Sequence, residues 1–320
     1  MANTKRSSQN NLSKFNGYLL AALAAAAYGT NPAFAIPLYE DGMNPNTVLL
    51  FRYILGLPFL ALIMCVRGIG FKLERSEVLP VFILGILMAI GSIGLFESYQ
   101  YINSGVASTL LFVYPIMVAV IMTFCFHEKF TDSLAVCLAV MCVGLILLMK
   151  TDEGQPMNIY GFLLVMLSAL TYALYLVFIN VSKSVSHIPT TKFLFYTLLF
   201  GSFLFLVQIA VGTEVTLPVK SVGWLNLFAL AIIPTVISLT CTSAAIRLIG
   251  STPTAVFGAL EPVTAIVLSV VVLGQGITMQ EMLGGVMIVI ATTIVVANKP
   301  VDRFILRIRK MFPKSLIKLK

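Results

Sequence analysis

The feature that most limits this chain is a succession of apolar runs, each about 20 residues long, separated by short polar stretches. A helix of that length crosses the hydrocarbon layer of a bilayer. Lipid offers no hydrogen bonds to the backbone, so only helices or closed barrels can span it. The strands of a barrel are shorter and alternate in polarity, and these runs do neither. Apolar residues make up 59% of the chain and charged residues 11%. A soluble domain carries about twice that charge. The expectation is an all-α integral membrane protein.

Ten spans are expected, near 17–38, 46–66, 79–101, 105–126, 133–149, 159–181, 192–211, 222–246, 252–273 and 280–297. Pro45, Pro80, Pro156, Pro189 and Pro218 lie between spans or at their edges, where a missing N–H costs least. Charge sets the orientation. With the N-terminus inside, 18 of the 21 Lys and Arg residues fall on the cytoplasmic side. Lys150 and Lys220 fall outside, and Arg52 lies within a span. Both termini are then cytoplasmic, in a multi-pass protein of a bacterial-type inner membrane. Ala33-Phe34-Ala35 imitates a signal-peptidase site. The first run nevertheless recurs later in the chain, so it is expected to be retained.

Gly17, Leu19, Leu20, Leu23, Ala25 and Tyr28 match Gly161, Leu163, Leu164, Leu167, Ala169 and Tyr172 at an offset of 144. Ile102, Ser104 and Pro115 match Ile249, Ser251 and Pro262 at an offset of 147, and Thr131 matches Thr278. The matches are collinear, so the chain divides into two five-helix repeats, 17–149 and 159–298. They are flanked by a cytoplasmic N-terminal tail, 1–16, and a basic C-terminal tail, 299–320. An odd number of spans per repeat inverts the second relative to the first. Inverted repeats are the architecture of alternating-access carriers, with the substrate at the repeat interface.

The junction Tyr101-Ile102-Asn103-Ser104-Gly105-Val106-Ala107 leads into a helix with Tyr114-Pro115. Its counterpart, Leu248-Ile249-Gly250-Ser251-Thr252-Pro253-Thr254, leads into Glu261-Pro262. Small residues at a short junction, followed by a mid-span proline, resemble the EamA-type proteins of the drug/metabolite transporter superfamily. Arg52 in the second span is similar to that family as well. The resemblance implies a central cavity lined by spans 1, 3, 4, 6, 8 and 9, with spans 5 and 10 packed together away from it. It further implies export of amino acids, nucleosides or similar metabolites.

Three charges lie within spans: Arg52, Glu97 and Glu261. Each costs at least a few kcal/mol there and needs a partner or a cavity. Arg52 and Glu97 both lie roughly 6–9 Å below the outer face at 1.5 Å rise per residue. They are placed either to form an ion pair or to leave Glu97 facing a cavity for an ammonium group or a proton. Glu261 lies mid-span before Pro262, as Tyr114 does before Pro115. It is a candidate for proton coupling or for ligand binding; the alternative is a neutral carboxyl tied to a neighbouring backbone. Asn31-Pro32 and Pro234-Thr235 are further helix-break candidates, either for ligand hydrogen bonds or for hinges. Tyr28, Tyr114, Tyr172 and Tyr175 can line a cavity or simply pack.

Ala21/Ala25, Gly85/Ala89 and Gly284/Gly285 are small residues that let helices approach closely. No cysteine pair has CxxC spacing, no His lies in a span, and His127 and His187 fall in cytoplasmic loops. No metal, cofactor or catalytic group is expected. In the tail, Phe304, Ile308, Met311 and Phe312 share a helical face flanked by Arg and Lys, which suits an anionic lipid surface rather than nucleic acid. With no P-loop motif, the expected function is secondary transport of a small molecule by a monomer or homodimer, with protons as a candidate coupling ion. Two alternatives stand behind it: a lipid-linked carrier flippase, and an intramembrane enzyme using Glu97 and Glu261.

Overall fold

The computed structural model describes residues 2–126, 132–148, 157–249, 254 and 257–297. His127, most of the second junction (250–253) and the basic tail at 299–320 lie outside the described residues. Among the described residues every regular element is helical. They are α1 (Ala2–Gly29), α2 (Asn31–Glu40), α3 (Pro45–Val66), α4 (Arg75–Ser98), α5 (Ser104–Leu111) and α6 (Tyr114–Phe126). Then come α7 (Asp132–Leu148), α8 (Ile159–Val181), the short α9 (Lys183–Ser186), α10 (Thr190–Ala210) and α11 (Ser221–Ala231). A π-helical turn, Ile232–Ile237, joins α11 to α12 (Ser238–Ile249); α13 (Leu260–Val271) and α14 (Met279–Ala297) follow.

Among the described residues, seven helical stretches are long and apolar enough to cross a membrane. They are Lys14–Glu40, Pro45–Val66, Arg75–Ser98, Ser104–Phe126, Ile159–Ile179, Thr190–Ala210 and Ser221–Thr242. α7, α13 and α14 occupy the three other expected positions. α1 begins at Ala2, so the first helix reaches back through the segment expected as the N-terminal tail. No Gly or Pro interrupts 2–16, so nothing there stops the helix from extending.

Side chains start the helices where the sequence turns polar. Asn44 accepts from Thr47 N at 2.8 Å ahead of Pro45, and Asn103 accepts from Gly105 N at 2.9 Å. Glu74 and Glu77 close a reciprocal capping box on α4, and Thr278 and Glu281 close another on α14. Such caps contribute on the order of 1 kcal/mol each. The second membrane helix of each half ends alike. Gly68 (φ 65°) follows α3 and Gly212 (φ 121°) follows α10, both in left-handed backbone that favours glycine.

The offsets seen in the sequence return as contacts. A Cβ at Gly17 would sit 2.9 Å from Leu248 Cβ and 2.5 Å from an Ile249 methyl. A Cβ at Gly161 would sit 2.9 Å from both Tyr101 Cβ and an Ile102 methyl. The same seam is therefore made twice, with Gly17 and Gly161 as equivalents and Leu248-Ile249 replacing Tyr101-Ile102. Deeper in each seam, Ser168 Oγ donates to the Gly91 carbonyl at 2.6 Å, and Ser238 Oγ donates to the Ala24 carbonyl at 2.9 Å. These are again equivalent positions, with the donor exchanged between the two helices. Small residues permit the other close crossings. A Cβ on Gly85 would lie 3.0 Å from Gly201 N, and one on Gly144 of α7 would lie 3.0 Å from the Gly284 carbonyl of α14. α7 and α14, the fifth and tenth expected spans, thus pack on each other.

The buried core runs through Leu49, Tyr53, Leu84, Phe96, Leu110, Leu198 and Phe205. Large apolar side chains such as Leu19, Leu62, Leu79, Phe124 and Val211 stay exposed on the outside. A soluble monomer rarely shows apolar surface on that scale, whereas lipid covers it at no cost.

Candidate functional site

Prolines interrupt the helices around the middle of the bundle, and neighbouring side chains repair the breaks. Pro32 cannot donate to the Tyr28 carbonyl; Asn31 Nδ2 does so instead, at 2.8 Å. Pro234 cannot donate to the Leu230 carbonyl; Thr235 Oγ1 does so at 3.1 Å, and the backbone widens into the π-helical turn. At Pro262 the Gly258 carbonyl accepts from Glu261 N at 2.9 Å. α5 and α6 are likewise separated by a turn at Phe112–Val113, just before Tyr114-Pro115. The breaks meet in space. A Cβ at Gly29 would lie 2.6 Å from the Glu261 carbonyl oxygen and 2.7 Å from Thr264 Cβ, so the broken first helix crosses α13 in backbone contact.

A cavity lies beside this crossing. Tyr28, Arg52, Ser92, Phe96, Ser168 and Tyr172 supply its polar and aromatic walls. Leu87, Met88, Gly91, Leu95 and Leu111 supply the rest. Arg52 is only 4% exposed. Its Nε donates to Thr235 Oγ1 at 2.8 Å, and its guanidinium carbon stands 5.2 Å from the Phe96 ring centroid, at cation–π range. The guanidinium also approaches the Tyr28 hydroxyl. Ser92 shares a 2.8 Å hydrogen bond with Tyr53. Among the described residues no acidic side chain lines this cavity, and the guanidinium meets a hydroxyl and a ring face.

A smaller cavity adjoins it, sharing Tyr28, Leu95 and Leu111 as walls. Gly29, Asn31, Tyr99, Ser108 and Glu261 complete it. Among the described residues no basic side chain lines it. Asn31 Oδ1 and the Tyr99 hydroxyl are buried without a hydrogen-bond partner.

The expected site residues divide into three groups. Tyr28, Asn31, Arg52, Tyr172 and Glu261 line the cavities. Tyr114, Tyr175 and Thr235 are not among the walls of either. Tyr114 stands edge-on to Tyr172 with centroids 4.7 Å apart, and Tyr175 stacks on Tyr172 at 5.8 Å. Thr235 acts on the cavity through Arg52. The ion pair open to Arg52 and Glu97 is not formed. Adjacent helix positions point about 100° apart, so Phe96, not Glu97, faces Arg52. Glu97 is half-buried and accepts from Gln100 Nε2 at 3.2 Å. Arg52 also brings the second span to the cavity, which the resemblance did not include. Ser92, Tyr99, Ser108 and Ser168 had no separate signal as site residues. The one trace of them is the 3–4 spacing of Met88, Gly91, Ser92, Leu95 and Tyr99 along one face of α4.

Membrane-length helices, broken where they surround an internal polar cavity, define a multi-pass membrane protein of the carrier type. The chain belongs to the EamA-like transporter family, whose profile matches it twice, over 15–150 and 159–297; that family is part of the drug/metabolite transporter superfamily. It is similar to an uncharacterized transporter of Archaeoglobus fulgidus, 28% identical over 137 residues. That match covers 42% of this chain and 48% of the relative, about half its length. It is also similar to the uncharacterized transporter YdfC of Bacillus subtilis, 24% identical over 251 residues, 78% of this chain and 81% of that one. Its fold resembles a solved crystal structure at a TM-score of 0.60 and 19% identity, over 93% of this chain and 99% of the other.

Proposed function

We propose that this protein is a secondary transporter, an exporter of small polar metabolites such as amino acids or nucleosides. It works by alternating access across a bacterial-type cytoplasmic membrane, as two inverted five-helix halves with both termini inside. The observation that carries this reading is the pair of joined cavities at the helix breaks. They are walled by residues of both family-matching segments, with Arg52 in one and Glu261 in the other. Each charge lacks an opposite charge in its own cavity, so a polar ligand gains from both. Tyr28 and Tyr172, equivalent positions in the two halves, face that ligand together. Glu261 takes part in binding or coupling, while Tyr114 and Tyr175 hold the Tyr172 ring in place.

The test is uptake of labelled amino acids and nucleosides into proteoliposomes, with and without an imposed pH gradient, for the wild type and Glu261→Gln. The expected outcome is saturable uptake of at least one solute, reduced tenfold or more in the variant. Dependence on the gradient would add proton coupling. No uptake of any solute would overturn the substrate class and favour a lipid-linked carrier.

A further inference from the structure

The smaller cavity has the chemistry of a cation site that is distinct from the walls around Arg52. Five of its side chains bring oxygen: Tyr28, whose hydroxyl is approached by Arg52, and Glu261, Asn31, Tyr99 and Ser108. The orientation of Asn31 follows from the break beside it. Its Nδ2 is committed to the Tyr28 carbonyl that Pro32 leaves without a donor. The amide is therefore turned so that Oδ1, an acceptor, points away from that carbonyl. That oxygen is unpartnered on a residue only 2% exposed. The Tyr99 hydroxyl, on a residue 6% exposed, has the Ser108 hydroxyl beside it but makes no hydrogen bond of full geometry. Ser108 spends its proton on the Ser104 carbonyl at 2.9 Å, which leaves oxygen lone pairs. Gly29, the last residue of the long α1, lines the same pocket.

A buried polar oxygen without a partner costs about 1–3 kcal/mol, and two of them beside a carboxylate need a common explanation. A proton on Glu261 would serve one acceptor, and the Tyr99 O–H, itself a donor, makes no hydrogen bond to any other. An ion that coordinates oxygen satisfies all of them at once and neutralises the carboxylate. Carbonyls at broken helices and half-helix C-terminal ends serve this purpose in membrane carriers. We infer that Glu261, Asn31, Tyr99 and Ser108 form a binding site for a small alkali cation of sodium size. The inference builds on the reading of these cavities as a transport site, with the ion seated against the ligand across Tyr28.

The test needs no substrate, so its outcome is independent of the uptake assay. Thermal unfolding of the purified full chain in detergent is followed at fixed pH and equal ionic strength, in sodium, potassium or choline chloride. The expected result is a saturable rise of a few degrees in sodium over choline. Glu261→Gln should abolish that rise. Tyr99→Phe removes only a hydroxyl that makes no hydrogen bond of full geometry, so it should keep the cation-free midpoint while raising the half-saturating sodium concentration several-fold. Equal midpoints in sodium and choline for the wild type would overturn the proposal, whatever the variants do. So would a sodium shift that survives unchanged in both variants.

Discussion

Arg52 is held in place by a hydroxyl, a ring face and the nearby Tyr28 hydroxyl. Lysine would keep the charge but lose the Nε donor and the planar group that lies over Phe96. Arg52→Lys should therefore lower stability by about 1–2 kcal/mol, seen as a lower thermal midpoint, and should impair uptake more than that loss explains. This residue and Glu261 were legible in the sequence because a charge in an apolar run is expensive and must have a reason. The hydroxyls of Ser92, Ser108 and Ser168 were not. A serine in a helix can return its proton to a backbone carbonyl, as Ser108 does to Ser104. A cheap group leaves no signature. Glu97 misled for the opposite reason: its depth matched that of Arg52, but depth fixes height along a helix and not direction around it.

Among the elements, the prolines announced where helices would break, while the repairs could not be read from them. Asn31 caps the carbonyl freed by Pro32, and Thr235 caps the one freed by Pro234. In each case the donor stands next to the proline, but which side chain reaches the carbonyl depends on local backbone geometry. Thr235 is doubly committed, since its oxygen also accepts from Arg52. Thr235→Val keeps the shape and removes both bonds. It should cost about 1–3 kcal/mol, and Thr235→Ser should restore most of the lost thermal midpoint. A valine variant as stable as the wild type would show that the π-helical turn stands without its hydroxyl.

For the whole molecule, the seven long helices and the exposed leucines settle a membrane location, and the basic residues of the loops supply its proposed orientation. In the described residues, Lys72 lies in the loop between α3 and α4, and Thr213 in the loop after α10. Cysteines placed at these two positions, in a background without the native ones, should separate the faces. An impermeant maleimide added to intact cells should label Thr213→Cys and spare Lys72→Cys, with the reverse in inverted vesicles. Labelling of Lys72→Cys from outside would invert the topology. The two halves were legible because their matches are collinear and keep nearly one offset, 144 to 147. The long N-terminal helix was not, since a polar segment before a span reads as a tail unless something outside the segment holds it.

Under the alternating-access mechanism proposed above, the repeated seam has an energetic consequence. Two copies of one contact lie close in free energy, so the direction in which the empty protein rests depends on where the copies differ. Tyr101 meets Tyr160 edge-on at 4.9 Å in one seam, where the other offers Leu248 and Asn16. Tyr18 meets Phe257 at 5.7 Å in the other, where the first offers Phe162 and Leu110. An aromatic pair is worth about 0.5–1.5 kcal/mol, roughly a 2- to 10-fold bias in a two-state equilibrium. The two latches nearly cancel. A resting balance that fine can be tipped by exchanging one ring, with both cavities left as they are.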